Sequence, residues 1–219
     1  MADDDTRSKI LNAAGAAFAE DGFEGTTVRK ICDAAGVNLA SINYHFGDKA
    51  RLYVEAIKYA HKFREEQTPL PEWPKGTPAL TRLRDFIYTT VQRMLVAAEL
   101  PWQAQLMFRE ILNPTGACQE LARDVFRPHF TMLLEILREL APEQFSEEKI
   151  YRLGFDVISQ CVFYKVHKPI FGMLCPEPMA ERMLNPDALA EHIFSTTVTA
   201  LNTDVAGRVT EQDKQSFIH

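Results

Sequence analysis

The densest chemistry in the chain lies in twelve consecutive residues, Asn38-Leu39-Ala40-Ser41-Ile42-Asn43-Tyr44-His45-Phe46-Gly47-Asp48-Lys49. Asn and His side chains donate and accept hydrogen bonds of the kind that read base edges in a major groove, and a Tyr hydroxyl reaches a phosphate oxygen. Ile42 and Phe46, spaced i, i+4, turn inward and leave Asn38, Ser41, Asn43, Tyr44 and His45 on view. Lys49 adds a cation at the start of the next helical pattern, where unsatisfied N–H groups also favour an anion. Upstream, Thr27 reads first as a helix cap and then as a phosphate contact. Arg29 and Lys30 are either a solvated face or backbone contacts.

These residues need short helices to hold them. An apolar stripe of Ile10, Leu11, Ala14, Ala17 and Phe18 predicts a helix over Thr6–Asp21, stopped at Asp21-Gly22. Gly25-Thr26-Thr27 opens a second helix over Val28–Ala35, with Val28, Ile31, Cys32 and Ala35 inward. Gly36 ends it, and a third begins around Leu39 and runs to Phe46. Gly47-Asp48 caps a longer fourth helix through Leu52, Ala56, Ile57 and Ala60. Two short helices joined through Ala35-Gly36-Val37-Asn38 form a helix-turn-helix: Gly supplies the turn and small Ala residues allow close approach.

The strings Thr26-Thr27-Val28-Arg29-Lys30-Ile31, Ala34-Ala35-Gly36-Val37 and Ile42-Asn43-Tyr44-His45-Phe46-Gly47-Asp48-Lys49, followed by Leu52, resemble the DNA-binding domain of TetR-family transcriptional regulators. The resemblance covers about residues 6–62. It implies a homodimeric, all-helical regulator that puts Asn38 to His45 in the major groove and Lys49 on the backbone. Carried onto this sequence, the DNA-contacting set is Thr27, Val28, Asn38, Leu39, Ser41, Asn43, Tyr44, His45 and Lys49. The family's usual Gly in the recognition helix is Ala40 here, and a common Tyr is Asn43.

Four prolines between Gln67 and Pro78 break any regular element and mark the boundary between a domain over 1–62 and a helical body over 63–219. In the body, Leu80, Leu83, Ile87, Val91, Met94 and Ala98 predict one helix. Pro101 to about Leu112 predicts another, ended by Asn113-Pro114-Thr115-Gly116. Residues 118–140 predict a helix kinked at Pro128. Ser146–Lys168 is apolar nearly all round, which demands partners all round. A Pro-punctuated turn (Pro169, Pro176, Pro178, Pro186) precedes a last helix over 187–202. No alternating runs with hairpin turns occur, so the expected fold is all-α. Phe108-Arg109-Glu110-Ile111-Leu112-Asn113-Pro114-Thr115 and Gln160-Cys161-Val162-Phe163-Tyr164 resemble the CecR-type branch of the same family.

A pocket between body helices needs apolar walls and a few orienting polar groups. Phe108, Arg109, His129, Phe130, Phe155, Gln160, Tyr164 and His167 are the candidates for binding a hydrophobic or amphipathic effector. Plain core packing and a structural ion pair for Arg109 and Glu110 are the competing readings. The helices at about 146–168 and 187–202 are expected to pair across a two-fold axis as a four-helix bundle. A ligand in the body would then alter the separation of two DNA-binding heads and release a palindromic operator.

The net charge of −6 hides an asymmetry: residues 6–62 carry eight Lys/Arg and six Asp/Glu, whereas residues 63–219 carry sixteen and twenty-one. A mildly basic head permits phosphate contact. The acidic Met-Ala-Asp-Asp-Asp start is unlike a signal peptide, no uncharged run exceeds fourteen residues, and a cytoplasmic protein with no membrane partner is expected. Cys32, Cys118, Cys161 and Cys175 form no Cys-x-x-Cys pair and read as reduced packing residues. No His-Glu-x-x-His, Gly-x-Ser-x-Gly, phosphate loop or Rossmann glycine run is present. Glu191-His192 is adjacent rather than i, i+3, and Glu110, Glu147 and Glu148 lack a Glu-x-x-His partner. No metal, cofactor or catalytic residue is expected. A helical adaptor without DNA binding, or a helical-bundle enzyme, is the alternative; a gel shift with genomic DNA separates the adaptor from a regulator.

Overall fold

The computed structural model describes residues 2–96, 100 and 102–202, and every regular element among them is helical. Contacts divide the chain into two units: residues up to Pro69 with the segment ending at His129, and Leu70–Val96 with the chain from Phe130 onward. The first unit therefore reaches beyond residue 62, because a later helix packs onto the N-terminal one.

In the first unit, α1 (Ala2–Gly25) starts four residues before the expected Thr6. Its regular course ends at Gly22, whose φ of 77° is the left-handed value a Cβ would strain. The Thr26 hydroxyl closes the turn by donating to the carbonyls of Ala17 (3.1 Å) and Gly22 (2.7 Å). Helices α2 (Val28–Ala35) and α3 (Leu39–Phe46) occupy the expected spans. Gly36 between them adopts φ 66° and sends its N–H to the Cys32 carbonyl. Helix α4 (Lys49–Gln67) follows, capped by Asp48. Ile10, Leu11, Phe18, Ile31, Ile42, Leu52, Tyr53 and Ile57 form the buried centre. Helix α6 (Gln103–Leu112) joins the same core, after α5 (Ala79–Leu95) of the other unit. The Trp102 indole lies against α1 at Gly15, where a Cβ would come within 2.4 Å of the ring.

The stretch 118–140 departs from a single Pro-kinked helix. A short α7 (Cys118–Leu121) leads into a π-helical turn over Ala122–Phe126 and then α8 (Arg127–Leu140). Pro128 lacks the N–H that a regular ladder would use, and the widened turn before it accommodates the loss.

In the second unit α5, α9 (Glu147–Leu174) and α11 (Pro186–Asn202) pack around Leu83, Phe86, Ile87, Leu133, Leu137, Val157 and Ile193. Ser146 caps α9. This helix does not end at Lys168 but continues through Pro169 to Leu174, and a short α10 (Glu177–Met183) fills the expected Pro-rich turn. A proline removes one ladder bond, which the rest of a 28-residue helix tolerates. Leu80, read as part of the α5 stripe, is 47% exposed; Leu83, Phe86, Ile87 and Val91 carry the buried face instead. Ala98 and Pro101 lie outside the described residues. All four cysteines are free thiols, and burial pushes the Cys161 thiol up to about 12. No helix among the described residues is long and apolar enough to cross a membrane.

Candidate nucleic-acid interface

Caps set the orientation of the helix-turn-helix. The Thr27 side chain accepts from the Lys30 N–H at 3.2 Å, and Asn38 Oδ1 accepts from the Ser41 N–H at 2.9 Å and from the Ser41 hydroxyl at 3.2 Å. Asp48 Oδ1 accepts from the Arg51 N–H at 2.7 Å. Each cap satisfies a donor that would otherwise be orphaned at a helix start. Asn38 and Ser41 are thus bonded to each other, while Asn43 and Tyr44 project outward from α3, Tyr44 with 79% exposure. Ile42 and Phe46 are buried as their spacing required. Leu39 is 55% exposed beside them, and Val28 is half-buried at the start of α2.

His45 departs from the expected exposed row. Its side chain is only 7% accessible, with Nε2 3.6 Å from an Asp3 carboxylate oxygen and the ring edge-on to Tyr44. Lys49 is half-buried, its Nζ lying 4.5 Å from the centroid of the Phe23 ring. That aromatic face holds the ammonium in place by a cation–π attraction. Phe23 stands directly after the Gly22 turn, 26 residues before Lys49, so no local spacing marks it as the seat of that ammonium. Lys30 is drawn back onto α1, bonded to Asp21 at 2.7 Å and Glu20 at 2.8 Å. The Asp21 and Glu20 carboxylates hold its ammonium pKa above the ordinary lysine value. Arg29, its neighbour, is exposed.

The body candidates do not gather at one point. Arg109 donates to the Glu20 carbonyl at 3.1 Å, and its guanidinium passes Gly22, where a Cβ would meet it at 2.6 Å. Glu110 is buried and accepts from the Tyr53 hydroxyl at 2.7 Å and the Thr115 N–H at 3.0 Å. Both residues thus serve the packing of the first unit. Phe108 is half-buried in the same unit, as is His129. In the second unit Phe130 packs against Phe155 at 4.6 Å and Tyr151 at 5.9 Å between ring centroids. Farther along α9, Phe163 stacks on His167 at 4.2 Å and Tyr164 on Phe171 at 5.3 Å. The Gln160 amide donates to the Asp156 carbonyl at 3.2 Å, within its own helix.

Residues 10–56 match the model of the tetR family of bacterial regulatory proteins. Residues 79–201 match the C-terminal domain of the HTH-type transcriptional dual regulator CecR. The chain is similar to CecR of Shigella flexneri, with 30% identity over 140 residues, or 58% of this chain and 62% of that protein. It is similar to the transcriptional repressor AcnR of Corynebacterium efficiens, with 45% identity over 49 residues, or 22% of this chain and 26% of that protein. Each alignment spans less than two thirds of the relative's length. Among solved structures, the hemolysin II transcriptional regulator HlyIIR has the same fold, with a TM-score of 0.57, 24% identity, and coverage of 89% of this chain and 97% of that one.

Proposed function

This chain belongs to the TetR family of transcriptional regulators, with a C-terminal domain of the CecR type, and from that premise we propose that it is a homodimeric, sequence-specific repressor of transcription acting in the cytoplasm. The observation that carries this reading is the outward projection of Asn43 and Tyr44 from a helix capped at both ends. Residues 1–62 form its DNA-binding domain and 63–219 its effector and dimerisation domain. Thr27, Val28, Asn38, Leu39, Ser41, Asn43, Tyr44 and Lys49 are the contact set, and the inward-turned His45 packs edge-on against Tyr44. Asn43 and Tyr44 read or touch the groove, and Lys49 and the capped helix starts anchor phosphates. Two copies related by a dyad would read half-sites about 34–36 Å apart or a multiple of that.

Dimerisation through about 146–168 and 187–202 is supported by the apolar side chains that α9 leaves exposed, among them Phe155 (60%) and Phe163 (49%). Within the second unit, the aromatic groups around Phe130 and Phe155 and around Tyr164 and His167, with Gln160, suit a hydrophobic or amphipathic effector. Such a ligand needs about 1–3 kcal/mol of differential affinity between two states to release DNA.

Selection from random duplexes, followed by binding titrations, tests the reading. A palindromic site bound at least about a thousandfold more tightly than random duplex is expected. Equal affinity for both, at any salt concentration, would refute sequence-specific regulation. Small molecules that raise Tm and lower affinity for the selected site would identify effectors; stabilising ligands that leave that affinity unchanged would remove the allosteric part alone.

A further inference from the structure

His61, Glu65 and His129 take no part in the DNA-facing surface, yet their side chains converge within the first unit. His61 and Glu65 stand one turn apart on α4, with Nδ1 of His61 3.3 Å from Glu65 Oε2. His129, from the first turn of α8, brings Nε2 to 2.9 Å from Glu65 Oε1. One potential ligand atom from each residue lies within 4.8 Å of the other two. With metal–ligand bonds near 2.0–2.1 Å, the corners of a tetrahedral zinc site stand about 3.3 Å apart. The measured separations are on that scale before any ion has drawn the groups together. All three side chains are half-buried, which leaves a path for an ion and room for water.

The hydrogen bonding around His129 favours a cation. Its Nδ1 faces the Val125 carbonyl at 3.4 Å, and an imidazole that donates to a carbonyl in this way offers its Nε2 lone pair to a metal ion. In that tautomer Nε2 and the Glu65 carboxylate, 2.9 Å apart, are two acceptors that a bound cation would bridge. Val125 belongs to the π-helical turn before Pro128, a type of distortion often found at functional sites. Two imidazoles and one carboxylate, without thiolate, suit a first-row divalent ion of the zinc type.

We propose that His61, Glu65 and His129 form a binding site for a divalent transition-metal ion of the zinc class, completed by water. The bound ion joins α4 to the start of α8. The same seam already carries ion pairs from Lys58 to Glu120 and to Asp124, both at 2.6 Å, and from Arg51 to Glu120 at 2.8 Å. Because α4 begins directly after the recognition helix, the ion shifts affinity for DNA; this second part rests on the regulator reading above.

The test uses the full chain after chelator treatment. Zn²⁺ titrated against a chromophoric chelator is expected to bind at one equivalent per chain, and Co²⁺ to give the visible bands of a low-coordinate nitrogen–oxygen site. His61→Ala and His129→Ala should each weaken binding about tenfold or more, whereas Lys62→Ala on the neighbouring exposed position should leave it unchanged. Proton NMR provides a readout that needs no variant: two histidine ring resonances should shift with the first equivalent of Zn²⁺. Absence of stoichiometric binding, or undiminished binding in both folded histidine variants, would overturn the site in favour of a protonated His–Glu pair. Operator titrations with and without Zn²⁺ form a separate arm. A chain that binds Zn²⁺ at these residues but shows no DNA binding would refute the regulator reading and uphold the metal site.

Discussion

Lys49 and Asn43 divide the work of the interface by chemistry. Lys49 offers a point charge seated on Phe23, so it neutralises a phosphate without reading sequence. Lys49→Ala should weaken selected and random duplexes alike and reduce the slope of log affinity against log salt by about 1. Asn43→Ala should instead change the ranking of sites, at about 1–3 kcal/mol for a base it reads. Parallel losses from both variants on both kinds of DNA would contradict this division. Tyr53 and Glu110 make the contrasting case of a polar pair kept for stability. Burial first, and then the hydrogen bond to Glu110, raise the Tyr53 phenol well above its ordinary value. The unfolded chain therefore releases this proton first, near pH 10, so the stabilising contribution is whole below about pH 10 and is lost as pH rises beyond it. Tyr53→Phe should cost about 1–3 kcal/mol at neutral pH by leaving Glu110 short of a donor. It should also flatten the alkaline fall in denaturation midpoint; an unchanged alkaline profile would assign that fall to other groups.

At the scale of elements, α1 works as the platform on which the helix-turn-helix and α6 both rest. Gly15 is where the Trp102 indole presses on it. Gly15→Ala is expected to destabilise the fold by about 1–3 kcal/mol through overpacking, seen as a lower urea midpoint with no change in slope. An unaltered midpoint would mean that the indole turns aside at little cost. The π-helical turn before α8 has a different consequence. It presents the Val125 carbonyl to His129, so the geometry forced by Pro128 also orients an imidazole.

For the molecule as a whole, the unanswered demand is apolar surface on α9. Phe163, Val166, Ile170 and Met173 are exposed at 49%, 43%, 38% and 82%, whereas Glu191, His192, Ser195 and Thr196 make the exposed face of α11 polar. A second copy can cover the first helix, and Phe163→Glu with Val166→Glu should convert a dimer at micromolar concentration into a monomer by light scattering. The double variant should also lose tight binding to a palindromic site while keeping weak binding to single half-sites. Persistence of the dimer in that variant would place the interface elsewhere.

The amino-acid sequence by itself determined the helix-turn-helix almost to the residue, from Val28–Ala35 to Leu39–Phe46. Its signals are local: a Thr or Asn cap, a Gly at the turn, and apolar residues at i and i+4 act within one or two turns of chain. The all-α class was equally legible, because helical periodicity needs no distant partner to be seen. Only the tertiary structure decided where α6 belongs, that His45 turns inward, and that Arg109 and Glu110 hold the first unit together. His61-x-x-x-Glu65 is visible as a spacing, but its third member, His129, lies 64 residues farther on. Side chains that distant in the chain meet only through packing of the helices that carry them, and no local spacing records that packing.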